Sequence, residues 1–86
     1  MYLPKLLPYL FAEALAVGAM DEAQSYLAPA LASSWEDLVA YLGKVEGVSI
    51  PPVQRDGLVG IMRGGVGRLL QVTLGDDGIE DVEWLE

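Results

Sequence analysis

Leu3, Leu7, Leu10, Ala14 and Val17 recur at helical spacing, and Phe11, Leu15 and Gly18 form a second apolar stripe beside them. Two adjoining stripes predict a helix buried on more than one side, starting near Pro4 or, with Pro8 in its first turn, slightly later. Leu7 to Met20 carries one charge, Glu13. So apolar a rod presents more surface than a small body readily hides, which makes this helix a candidate interface. Gly18 weakens it near its end. Asp21 then offers a cap answered by Gln24, opening a short segment from Glu22 to Leu27 that Pro29 ends. A further start follows at Ser33 or Ser34, with Glu36 and Asp37 in the first turn. Trp35, Leu38, Val39, Leu42 and Val45 make its stripe, and Gly43 and Gly47 loosen its C-terminus.

Beyond that point the texture turns to Val, Ile, Gly and Thr, which favours strands. Val45 to Ile50 opens a strand that Pro51-Pro52 closes, and Gly57 to Met62 reads as the next. Gly64-Gly65 permits a tight turn. From Arg68 to Leu74 the alternation is clean, with Leu70, Val72 and Leu74 on one side and Leu69, Gln71 and Thr73 on the other. Gly75-Asp76-Asp77-Gly78 is the best turn signal in the chain. Ile79 to Leu85 returns as the last strand, with Val82 and Trp84 on one face and Ile79, Asp81, Glu83 and Leu85 on the other. The chain thus reads as one α+β domain over residues 1–86, with helices from about 4 to 46 and a sheet from about 45 to 85. The helices are expected on one face of an antiparallel β-meander of three to four strands.

Composition narrows the function. At 86 residues a single core is only just sufficient, and small folds often add a disulfide, a metal or a partner subunit. With no Cys and no His, the partner is the easiest of the three to supply. The 52% hydrophobic and 21% charged content predicts a packed core. A net charge of −8, with Lys5, Lys44, Arg55, Arg63 and Arg68 as the only cations, leaves no basic face for nucleic acid and predicts repulsion from anionic membranes. Pro4, Pro8 and Glu13 interrupt the N-terminal apolar run, so it suits neither a membrane span nor a signal peptide. A cytoplasmic protein is the expectation.

The sequence from Phe11-x-x-Ala14-Leu15-x-x-Gly18 through Asp21-Glu22-Ala23 and Tyr26-Leu27-x-Pro29 resembles the opening helices of the NTF2-like (cystatin-like α+β) superfamily. Asp77-Gly78-Ile79 followed by Val82-x-Trp84 resembles its closing hairpin. The resemblance implies a strongly curved sheet wrapped around the first helix, a conical cavity between them and dimerisation through the sheet. The chain departs from that pattern in being short and in lacking His, so the resemblance speaks to fold and not to catalysis.

Candidate chemistry is sparse. Asp76, Asp77, Glu80, Asp81, Glu83 and Glu86 have the oxygens of a hard-cation site, but no EF-hand spacing, and a solvated turn and strand face account for them better. Glu13 is the one acid in an apolar stretch, and a wet helix position explains it. The glycine runs at 57–60 and 64–67 lead into strands and lack the Lys-Ser or Lys-Thr of a phosphate loop. No metal or cofactor is expected. Phe11, Tyr26, Trp35, Tyr41, Met62 and Trp84 are the candidates for an apolar pocket or interface, since so many aromatics in so small a domain will not all be buried. The expected function is a non-catalytic interaction domain, self-associating through its sheet or first helix or meeting another protein. An NTF2-like pocket for a small apolar ligand is the alternative, followed by a carboxylate-based enzyme.

Overall fold

A computed structural model describes residues 6–49, 51 and 55–85. Helix α1 runs Leu7–Ala16, α2 Met20–Ser25, α3 Pro29–Ala32 and α4 Trp35–Leu42. The strands follow as β1 Gly47–Ser49, β2 Leu58–Arg63, β3 Val66–Gly75 and β4 Gly78–Trp84. They form an open antiparallel sheet in the order β1-β2-β3-β4. The helices-then-meander architecture expected from the pattern is what the chain adopts. The expected contributions of Leu3, Pro4, Ile50 and Pro52 lie outside the described residues.

Pro8 sits in the first turn of α1, where its missing N–H costs nothing. Leu7, Pro8, Phe11, Ala12, Ala14 and Leu15 are buried, and Glu13 is the helix's one exposed position. The chain covers this rod itself, by packing α1 on α2 and against β1 and β2. An outside cover is therefore not needed for α1. The short helices and the first two strands supply enough apolar surface between them.

The end of α1 is sharper than a weakened helix. Ala19 N–H donates to the Ala14 carbonyl at 2.8 Å and Gly18 N–H to that of Leu15 at 3.2 Å, the paired bonds of a Schellman motif. That turn delivers the chain into α2 already helical at Met20, with Ala19 as the cap residue. Asp21 consequently lies inside the first turn and makes no capping bond, contrary to the expected Asp21–Gln24 box. Its charge still favours the helix start. Ser34 likewise occupies the cap position of α4 without a side-chain bond, while Ser33 Oγ donates to the Ala30 carbonyl at 2.7 Å.

Pro29 does more than stop α2. Ala28 is extended, as a residue before proline must be, and Pro29 opens α3. In the extended connector Leu27 forms a parallel bridge with Ile79. Ala28 N–H donates to the Ile79 carbonyl at 2.8 Å, and Ile79 N–H to that of Tyr26 at 2.9 Å. Two hydrogen bonds thus tie the helical layer to the free edge of β4, blunting an edge that would otherwise invite pairing.

Within the sheet, Val59 and Ile61 of β2 and Leu70 and Val72 of β3 face the helices and are buried. The alternation in β4 departs from expectation. Val72 pairs with Val82 and Thr73 with Asp81, but Leu74 pairs with Ile79, leaving Glu80 as an extra residue. This bulge shifts the phase by one, so Ile79 joins Val82 on the core face at 0% exposure instead of facing out with Asp81 and Glu83. Phe11, Leu42, Val59, Ile61, Leu70 and Ile79 form the deepest part of one apolar cluster. No polar or charged side chain is buried among the described residues.

Candidate interaction surfaces

The aromatic candidates do not converge on one pocket. Phe11 is wholly internal, and Tyr26 is buried with its hydroxyl donating to Glu22 Oε2 at 2.8 Å. Trp35 is half-buried against the core, beside a shallow depression lined by Ser33, Ser34 and Glu36. Met62 is half-buried on the face of the sheet away from the helices. Tyr41 and Trp84 do meet. Trp84 N–H donates to the Tyr41 hydroxyl at 2.9 Å, Trp84 Nε1 donates to the Tyr41 carbonyl at 3.2 Å, and the ring centroids lie 6.5 Å apart.

Two arginines complete that cluster. The guanidinium carbon of Arg68 lies 4.7 Å from the Trp84 ring centroid and that of Arg63 5.8 Å, both within cation–π range. The signal for this was present in the sequence. Across a two-residue turn at Gly64-Gly65, Arg63 pairs with Val66 and Arg68 with Ile61, which puts both on the core face at the sheet's open end. On the same face Trp84 pairs with Leu70, so the arginines flank it. What the sequence did not supply was the strand register.

Gly43, which ends α4, connects this cluster to an apolar groove. A Cβ built on Gly43 would come within 2.7 Å of Arg63 Nη2, so the guanidinium rests on the glycine backbone. The same residue lines a groove of about 290 Å³ with Leu15, Met20, Val39, Leu42 and Val45. At its lip Val17 is 73% and Met20 42% exposed. Lys44 also borders it, so Lys44, Arg63 and Arg68 gather at this end of the molecule. Glu46 stands there too, its Oε1 accepting the Gly65 N–H at 3.2 Å.

The second surface is the helix-free face of the sheet. Register places Gly47 and Ser49 of β1 there, with Leu58, Gly60 and Met62 of β2 and Gly67, Leu69, Gln71 and Thr73 of β3. None of these ionises. Among the described residues, charge borders this face at the β4 margin, with Asp81 and Glu83, and at Asp56 beside Gln71. Ser49 lies directly over Gly60, where a Cβ would collide with it, and Gln71 Nε2 donates to the Asp56 carbonyl at 3.2 Å. Leu58 is 3% exposed although it belongs outside the main core cluster.

Among the described residues no group of three or more acids is placed to hold a metal ion, and Glu86 lies outside them. Glu13 is exposed on α1. No helix of the described residues is long and apolar enough to cross a membrane. Comparison of the chain with protein-family models, with curated proteins and with solved structures gives no match to any of them.

Proposed function

We propose that the chain is a non-catalytic interaction domain that self-associates through the helix-free face of its sheet. The observation that carries this reading is the uncharged stretch across β1, β2 and β3. In an antiparallel sheet with one solvated face, each strand alternates apolar inward positions with polar, often charged, outward ones. Here the outward positions of three strands are glycine, serine, threonine, glutamine and apolar residues, in a chain of net charge −8. Two molecules carrying that charge repel least across a surface that bears none of it. Of the two faces expected to self-associate, α1 is covered by its own chain, which leaves the sheet. The reading includes a cytoplasmic location, the expectation drawn from the N-terminal apolar run that Pro4, Pro8 and Glu13 interrupt.

Sedimentation equilibrium tests this. The wild-type chain is expected to show twice its own mass at about 100 µM. Leu69→Arg, which puts a charge at the middle of the face, is expected to sediment as a monomer while keeping its circular dichroism spectrum. A wild-type monomer at that concentration overturns the proposal.

A second reading, an NTF2-like pocket for a small apolar ligand, is favoured by one feature. A depression of about 360 Å³ lies between Leu7 and Tyr26 on the helical side and the β3–β4 turn from Leu74 to Gly78. Its lining is largely apolar with a few polar groups at one side, the usual make-up of a ligand site. A saturating neutral apolar ligand, such as a long-chain alcohol, is then expected to raise the melting temperature by several degrees, as binding to the native state alone requires. An unmoved melting temperature removes this second reading and leaves the first intact.

A further inference from the structure

We propose that the end of the molecule where α1 and α4 finish is a docking site for an acidic segment of a partner protein. The segment seats a bulky apolar side chain in the groove beside Val17 and Met20 and lays carboxylates on Arg63 and Lys44. Single exposed apolar residues need no explanation, but these two border an apolar depression whose walls include Leu15, Val39 and Leu42. The charge beside it is held in place. The Arg63 guanidinium lies against the Gly43 backbone with its carbon 5.8 Å from the Trp84 ring centroid, and it makes no ion pair among the described residues, in a chain that has 13 acids and five basic residues. A guanidinium is a planar fork of N–H donors that can take a carboxylate in two parallel hydrogen bonds. Holding that side chain in advance lowers the ordering cost a partner would meet.

Charge selects the occupant. Lys44 and Arg63 border the groove and outnumber Glu46, the one acid found beside them, so complementarity calls for carboxylates. A second copy approaching symmetrically would bring the same cations against them. A nucleic-acid backbone offers the anions but nothing for the groove. An apolar side chain flanked by Asp or Glu satisfies both halves of the site.

This inference is independent of pairing through the sheet. Random short peptides displayed on phage are selected on the intact protein, and the enriched ones are titrated into Trp35→Phe protein, where Trp84 fluorescence reports binding. The expected consensus contains a bulky apolar residue with neighbouring carboxylates. Arg63→Gln, Lys44→Glu and Val17→Asp are each expected to weaken binding roughly tenfold or more without lowering the melting temperature. Leu69→Arg is expected to bind the peptides as the wild type does, so failure here and failure of the sheet-face pairing are told apart. The proposal is overturned if no peptide is enriched, if the consensus lacks carboxylates, or if all three groove variants bind as the wild type does. It is equally overturned if millimolar inorganic phosphate alone displaces the peptides, which marks a small-anion site, or if Val17→Asp and Arg63→Gln abolish self-association in sedimentation equilibrium, which marks a second copy as the occupant.

Discussion

Phe11→Ala is expected to cost about 3–5 kcal/mol of folding free energy, the range for removing a fully buried aromatic ring whose cavity only partly collapses. Phe11 is 0% exposed and belongs to the same cluster as Val59, Ile61 and Leu70. Because α1 packs against β1 and β2, the ring sits where the helical layer meets the sheet. A chain this long has a total stability of about 4–13 kcal/mol at ordinary per-residue values. The substitution therefore removes a large fraction of the total, and for a stability of about 4–5 kcal/mol, at the bottom of that range, a loss at the upper end leaves the variant mostly unfolded at room temperature. Where it still folds, the melting temperature is expected to fall by about 12–40 °C. Urea unfolding followed by circular dichroism measures the loss, with Glu13→Gln, at the exposed position of the same helix, expected within about 0.5 kcal/mol of wild type. A loss below about 1 kcal/mol for Phe11→Ala would mean that α1 does not face the sheet.

The second large effect is at Gly57. This residue has φ +81°, and a Cβ on it would run into the carbonyl oxygen of Val72. That carbonyl cannot yield easily. Val72 N–H donates to the Gly57 carbonyl at 2.7 Å, and Leu58 pairs with Gln71 one residue on. Gly57→Ala thus combines a left-handed backbone with a backbone collision at the start of β2, and about 3 kcal/mol or more is expected. Gly64 provides the control. It has φ +61° with open space where a Cβ would go, so Gly64→Ala carries only the conformational term, about 1 kcal/mol. Chemical denaturation of both variants separates the two contributions. Equal losses would show that the close approach of Gly57 to β3 is wrong.

These expectations rest on features of very different legibility. The strands announce themselves through alternation and through glycine-rich turns, because side chains on a strand must face opposite ways and a two-residue turn needs positive φ. The hairpin at Gly64-Gly65, with φ +61° and +79°, was readable for that reason. The interaction surfaces were less so. Of the six aromatic and Met candidates, Tyr41 and Trp84 are joined by two hydrogen bonds, and two arginines lie against that pair. Their convergence depends on strand register and on a hydrogen bond between residues 43 positions apart, neither of which a local window contains.

By itself the sequence determined the order of helices and strands, the places where the chain turns and the α+β class, since each follows from short-range periodicity and backbone preference. Which residues lie inside was only partly decided there. An extra residue at Glu80 reversed the phase of β4 and brought Ile79 into the core, and part of the cover over α1 comes from β1 and β2, far along the chain. Only the tertiary structure set Arg63 between Gly43 and Trp84 beside an apolar groove, and left three strands with an outward face free of charge. Local patterns specify conformation. Surfaces arise from the long-range packing of those conformations, where register and bulges choose which side chains become neighbours.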